Sequence, residues 1–169
     1  MSKENRITLT SKDGNEHTYE NDDESISPKN NLVKAVVEYG NWIIYNTQFD
    51  LPKKYKFVTL YGGNGFGQID NGATPITAVK TINFVADGIC LFEHDHFWGK
   101  NYTYTDTSST ESEFPTGEGM KGVASIIVFG GSWKLYATDG KTKTISKSEN
   151  PDVLAIGISP NTIYKVEKL

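Results

Sequence analysis

Short apolar runs separated by glycine, proline, asparagine and serine set the pattern of this chain. The clearest stretch runs from Gly122 to Ala137, where β-branched and aromatic residues flank Gly130 and Gly131. It predicts a strand, a tight turn at the two glycines, and a second strand that opens at Trp133. No segment keeps the 3.6-residue period of an amphipathic helix, so the pattern predicts an all-β protein.

The same strand–turn–strand phrase recurs in four imperfect copies, whose long strands open at Val33, Val79, Val123 and Val153. Each copy supplies about four strands, the number that makes a Greek key. Two Greek keys close one sandwich by packing two sheets about 10 Å apart. The repeats therefore predict two Greek-key β-sandwich domains, residues 1–86 and 87–169, with the boundary after Ala86.

Turn residues divide the rest of the chain. Asp13-Gly14 and Asp139-Gly140 predict tight hairpins, because both residue types tolerate positive φ. The glycine-rich segment 62–72 and the polar segment 146–152 are predicted to be loops, and 154–158 is predicted to be the long strand of the fourth copy.

Composition narrows the classes of function. Hydrophobic residues make up 37% of the 169, which is enough for a folded core, and the basic residues are scattered in a chain of net charge −4. A nucleic-acid partner is not expected, because such binding needs a clustered basic face. No apolar run approaches the length of a membrane span, so no membrane association is expected. The polar start at Met1–Arg6 and the single cysteine, Cys90, predict a reducing, cytoplasmic location.

Three stretches resemble the βγ-crystallin family. Phe92–Gly99 matches the family's hairpin signature, in which an aromatic, a short spacer and a second aromatic precede x-Gly. Val123–Ile126 matches its later strand, and Trp133–Tyr136 matches the aromatic start of the next motif. The resemblance covers nearly the whole chain. Ile7–Leu9, with Trp42–Tyr45, looks most like a sponge member of the family.

The resemblance implies paired Greek keys, no catalysis and, as in many microbial and invertebrate members, calcium binding. The family's calcium loop reads Asn/Asp-Asn/Asp-x-x-Ser/Thr-Ser and ends on the long strand, and the hairpin of the partner motif adds a carbonyl. In the first copy Asn30 and Asn31 match the two amides, while Lys34 replaces the hydroxyl residue. The carbonyls facing this loop are expected near Gln48.

The fourth copy offers the other candidate calcium loop. Asn150 and Asp152 precede Val153, and the carbonyls facing them are expected near Asp95. No copy has every ligand of the family site, so binding is expected to be weak, with a dissociation constant on the order of 10⁻⁴–10⁻³ M. The competing interpretation is that these Asn and Asp residues only form turns.

Other motifs have structural interpretations beside the chemical ones. His94-Asp95-His96 has the i, i+2 spacing for a metal on one strand face, yet no third ligand is visible. Gly62–Gly67 resembles a phosphate loop, but no helix is predicted after it. Cys90 lies in an apolar run and is predicted to be a buried small hydrophobe, and Trp42 and Trp133 are predicted to be core anchors.

The sequence therefore predicts a non-enzymatic structural or stress-related protein with degenerate, weak calcium sites. A second hypothesis is a carbohydrate- or protein-binding module that uses exposed aromatics at Trp98, Tyr102 and Tyr104. A third is a secreted crystallin associated with defence or a toxin.

Overall fold

The fold is all-β. A computed structural model describes residues 5–46, 57–62, 67–70, 74–105 and 122–169, and these contain β-strands and short 3₁₀ helices but no α-helix. The chain divides into two compact units, Met1–Asn83 and Phe84–Leu169. This division lies close to the predicted boundary after Ala86.

The first unit contains six described strands: β1 Arg6–Ser11, β2 Glu16–Tyr19, β3 Leu32–Tyr45, β4 Phe57–Gly62, β5 Gly67–Asp70 and β6 Ala78–Ile82. The first half of β3 pairs with β1 and β5, and its second half pairs with β4 and β6. A bridge between Asp23 and Val79 brings the segment after β2 onto β6. Each half of β3 thus belongs to its own layer: the layer of β1 takes β5 from the second motif, and the layer of β6 takes the bridged segment at Asp23 from the first.

The second unit repeats this plan with five described strands: β7 Ile89–Phe92, β8 Asn101–Tyr104, β9 Ser125–Ala137, β10 Thr142–Asn150 and β11 Ile163–Lys168. The first half of β9 pairs with β7 and the end of β10, and its second half pairs with the start of β10 and β11. The 3₁₀ helices Asp95–Phe97 and Val153–Ile156 lie in the loops.

Apolar side chains from both layers close a core in each unit. The buried strand residues of the first unit include members of β1, both halves of β3 and β6: Ile7, Leu9, Ala35, Val37, Trp42, Ile44 and Val79. Those of the second come from β7, β9, β10 and β11: Ile89, Leu91, Ile126, Val128, Trp133, Leu135, Ile145, Ile163 and Val166. The prediction that Trp42 and Trp133 are core anchors is confirmed, since they are 0% and 1% exposed.

The tight turn predicted at Gly130-Gly131 is wrong, and so is the equivalent turn that the repeat places at Gly40 in the first copy. β3 and β9 run through these glycines without a hairpin. The flanking halves do not pair with each other, because each finds partners in a different layer of the sandwich. Gly40 and Gly131 have φ of 79° and 74°, so they bend the strand where it changes layer.

Three other predicted boundaries are wrong. Gly67–Asp70 is strand β5, because it pairs with β3, and β10 continues to Asn150 because its end pairs with the first half of β9. Val153–Ile156 is a 3₁₀ helix: Asp152 caps it by accepting from the backbone N–H of Leu154 at 2.8 Å, and Gly157 ends it at φ 84°. The long strand of the fourth motif is therefore β11.

The hairpins predicted at Asp13-Gly14 and Asp139-Gly140 are confirmed and have matching geometry. The glycines have φ of 83° and 82°. Each donates its N–H, at 3.0 Å, to the carbonyl three residues earlier, Ser11 in the first turn and Ala137 in the second. The first and fourth motifs thus share one turn type, although their sequences differ around it.

Candidate functional site

The first candidate calcium loop lies on a short 3₁₀ helix before β3. Ser27 caps this helix, Asn30 ends it, and Asn31 follows in the left-handed region at φ 50°. The Asn31 carbonyl accepts from the Lys12 N–H at 3.1 Å, and both asparagine side chains are exposed. Asn30 and Asn31 are thus placed by local turn geometry.

Charge near the first loop disfavours a cation. Lys34, on the adjoining strand, forms an exposed ion pair with Asp70 at 3.5 Å. The pair uses the one carboxylate that β5 brings beside this strand in the described segment. Gln48 lies outside the described residues, so its carbonyl stays a prediction. Neutral amides next to an ammonium make this loop the weaker calcium candidate.

The hairpin between β7 and β8 carries Asp95. His96 and Phe97 have φ of 54° and 64°, which β-carbon-bearing residues rarely adopt. Buried Ser125 holds the turn in this shape: its hydroxyl donates to the His94 carbonyl at 2.5 Å and accepts from the Phe97 N–H at 2.9 Å. Because Ser125 begins β9, the long strand fixes the hairpin of its own motif.

A backbone hydrogen bond brings this hairpin to the loop after β10. The His96 N–H donates to the Pro151 carbonyl at 2.7 Å. His96 follows Asp95, and Pro151 lies between Asn150 and Asp152. Asp95 therefore lies in a hairpin that touches the short connection between β10 and the next 3₁₀ helix, and Asn150 and Asp152 flank the contacting residue of that connection.

Each of these side chains already has a local contact. Asp95 Oδ2 lies 3.2 Å from His96 Nδ1, and Asp152 Oδ1 accepts from the Leu154 N–H at 2.8 Å. Asn150 Nδ2 donates to Ser148 Oγ at 2.9 Å, which leaves its amide oxygen available. Calcium takes six to eight oxygens, so two carboxylates and one amide would supply at most part of a calcium site, and carbonyls and water would have to complete it.

The corrected position of the fourth long strand also changes the family register. The residues directly before β11 are Ser159 to Thr162, and they were not among the predicted calcium ligands. Thr162 Oγ1 donates to the Ser159 carbonyl at 2.7 Å, so this hydroxyl is engaged in its own turn. The available signal was the β-branched pair Thr162-Ile163, followed by Tyr164 and Val166.

The other metal and nucleophile hypotheses find no support in the described residues. Across those ranges no group of three or more His, Cys, Asp or Glu side chains is placed to hold a metal ion. Cys90 is fully buried, as predicted, with Sγ 3.8 Å from Asn101 Oδ1. Residues 63–66 of the glycine-rich segment lie outside the described residues, and Gly67 begins a strand.

The prediction of an exposed aromatic surface at Trp98 is wrong. Trp98 is 5% exposed, and Tyr102 and Tyr104 pack against the core of the second unit. Burial, with a smaller contribution from Tyr102, raises the pKa of Tyr104 above its ordinary value. Trp98 is therefore not part of an exposed aromatic surface, and the two tyrosines are only partly exposed.

Comparison with known proteins supports the fold. No family model and no curated protein matches this chain. Among solved structures, geodin, a βγ-crystallin from Geodia cydonium, matches with a TM-score of 0.68 and 18% sequence identity. The matched region covers 99% of this chain and 100% of the geodin chain.

Two further matches cover about half of this chain. A βγ-crystallin from Ciona intestinalis covers 48% of it and 99% of its own length, with a TM-score of 0.42 and 22% identity. An archaeal βγ-crystallin covers 50% and 100%, with a TM-score of 0.42 and 24% identity. The resemblance to a sponge crystallin is confirmed at the level of fold by geodin: this chain has the Greek-key fold of the βγ-crystallins.

Proposed function

We propose that this chain is a non-catalytic, cytoplasmic structural or stress-related protein that binds calcium weakly in its second unit. The fold supports the structural role, although one fold hosts many functions. The observation that carries the calcium proposal is the hydrogen bond from His96 to Pro151, which joins the loop of Asp95 to the loop of Asn150 and Asp152.

In this proposal Asp95 and Asp152 supply charge, and the Asn150 amide oxygen supplies a neutral ligand. A bound calcium ion would be attracted to both carboxylates and would hold the two loops together. Ser125 fixes the shape of the hairpin and so positions Asp95. Because the ion would bind the folded arrangement of both loops, it would stabilise the second unit in proportion to the logarithm of its concentration over the dissociation constant.

Thermal unfolding of chelator-treated protein tests this proposal. With a dissociation constant near 1 mM, calcium at about 5 mM should stabilise the folded state by roughly 1 kcal/mol and raise the midpoint by a few degrees. Asp152→Asn should abolish the rise. Asp13→Asn, which removes the same charge from an exposed turn of the first unit, should keep it. An equal rise in both variants would exclude the site.

The non-catalytic part needs its own test. The purified chain should show no saturable turnover on a panel of esters, phosphate esters, glycosides and peptides. Turnover that disappears on substitution of a single polar residue would contradict the proposal.

Location is tested separately, by fractionation of source cells. No helix among the described residues is long and apolar enough to cross a membrane. We expect the chain in the fraction that contains cytoplasmic markers. Recovery in the secreted fraction would favour the defence-associated hypothesis instead.

A further inference from the structure

The outer face of β10, β9 and β11 carries two ammonium groups that converge on one tyrosine ring. Lys134 Nζ and Lys165 Nζ each lie 5.0 Å from the centroid of Tyr136. Cross-strand pairing explains the arrangement, because Lys165 is directly opposite Tyr136 and Lys134 is two residues before it on the same face. The two nitrogens can therefore be no farther apart than twice the ring distance.

Neither ammonium forms a direct ion pair within the described part of the chain. No carboxylate there lies within 4.0 Å of either ammonium. Glu167 is opposite Lys134, but its Oε2 accepts a short hydrogen bond from the Tyr136 hydroxyl. Two like charges held near one ring repel each other, and an external anion between them would remove that cost.

Charge along the sequence points the same way. Residues 122–169 contain six lysines and four acidic residues, so this stretch has a net charge of +2 in a chain of −4. The lysines are at 134, 141, 143, 147, 165 and 168. Of these lysines, Lys134 and Lys165 lie at the Tyr136 ring beside one acidic residue, Glu167, so the excess positive charge at this place favours an anionic partner.

On the other side of β9 from β11, strand β10 adds hydroxyl groups to this face. Thr142 is opposite Tyr136 and Thr144 is opposite Lys134, and a third row pairs Ser132 Oγ with Ser146 Oγ at 3.3 Å. Such hydroxyls can donate to or accept from sugar hydroxyls. The Tyr136 ring is already in contact with both lysines, which disfavours the base stacking that single-stranded nucleic acid uses.

We propose that the outer face of β10, β9 and β11 binds an anionic sugar chain, with Lys134 and Lys165 holding its sulfate or other acidic groups and Thr142 and Thr144 contacting its hydroxyls. This site is separate from the calcium loops and does not depend on them. Two cross-strand rows form this site, Thr142–Tyr136–Lys165 and Thr144–Lys134–Glu167. Glu167 is their one acidic residue, and its charge lowers the affinity for an anion.

Dextran sulfate is the probe, and uncharged dextran of equal length is its control. The wild-type chain should bind dextran sulfate saturably at low salt and should not bind dextran. Lys134→Gln with Lys165→Gln should weaken binding at least about tenfold, since each lysine–anion contact of about 1 kcal/mol is worth a factor of about five. Lys12→Gln with Lys29→Gln, an equal charge change on exposed residues of the first unit, should change it less than about twofold.

Glu167→Gln gives an independent readout, because removing the carboxylate should tighten binding several-fold. If the double variant does not fold, the single variant Lys165→Gln takes its place. In addition, the backbone amide NMR shifts of the wild-type chain are followed while dextran sulfate is added. Shifts confined to β9, β10 and β11 support the proposal. Shifts elsewhere, equal losses in the two double variants, no binding, or equal binding of a single-stranded oligonucleotide of matched charge would overturn it.

Discussion

Trp133 donates its indole N–H to the carbonyl of Gly130 at 3.1 Å, three residues earlier in the same strand. Trp42 makes the same bond to Tyr39 at 3.0 Å in the first unit. In both strands a left-handed glycine lies two residues before the tryptophan. The bond satisfies a carbonyl at the bend and anchors the strand where it passes between layers.

Removing either tryptophan should strongly destabilise its unit. Trp133→Ala or Trp42→Ala should cost about 3–5 kcal/mol of unfolding free energy, the range for a buried large aromatic. Trp133→Phe keeps a ring but leaves the Gly130 carbonyl without this donor, at about 1–3 kcal/mol. Urea unfolding measures these costs, with exposed Tyr164→Ala as control. A cost below about 1 kcal/mol for Trp133→Ala would contradict the role.

The segment after β2 is attached to β6 by Asp22. Its Oδ1 accepts from the N–H and the hydroxyl of Thr81 at 2.6 and 2.8 Å, and its Oδ2 lies 3.3 Å from the ammonium of Lys80. The Lys80 side chain is only 7% exposed.

Substitutions at this pair should be asymmetric. Asp22→Ala leaves the buried ammonium of Lys80 without its carboxylate and should lower the free energy of unfolding by about 2–4 kcal/mol. Lys80→Met replaces that ammonium with an apolar side chain that can pack, so it should lower the free energy less. Urea unfolding of both variants checks the order. Equal costs, or a larger cost for Lys80→Met, would show that the ion pair itself dominates.

Tyr104 should make stability fall at alkaline pH. Its pKa is raised by burial, so the folded state retains a proton that the unfolded chain releases from about pH 10. The stabilising contribution is complete below the unfolded pKa and is lost as pH rises through the folded pKa. Tyr104→Phe should lessen the decline above about pH 10, whereas exposed Tyr164→Phe should not. Identical pH profiles for both variants would contradict this.

Much of the fold could be predicted because its determinants are local. Asp13-Gly14 and Asp139-Gly140 specify their turns directly, and the apolar run at Ile89–Phe92 specifies a strand. The bends at Gly40 and Gly131 could not be told from hairpin turns, since the difference lies in which distant strands pair with each half. Similarly, the apolar residues Leu154 and Ile156 fit a strand pattern, but the segment forms a 3₁₀ helix that Asp152 caps.

The candidate site could be predicted only in part. The meeting of the Asp95 hairpin with the Asn150–Asp152 loop was expected, although the strand thought to follow that loop was misplaced. The burial of Trp98 was missed because a tryptophan beside a polar hairpin gives no local sign of its depth. The convergence of Lys134 and Lys165 on Tyr136 depends on the register of β11, which the sequence pattern does not specify.

Calorimetric titration of chelator-treated protein with calcium tests the central claim most directly. The account predicts one weak site, with a dissociation constant on the order of 10⁻⁴–10⁻³ M, that is lost in Asp152→Asn and kept in Asp13→Asn. Binding that is tighter than about 10 μM, is absent up to about 10 mM, or is unchanged in Asp152→Asn would contradict it.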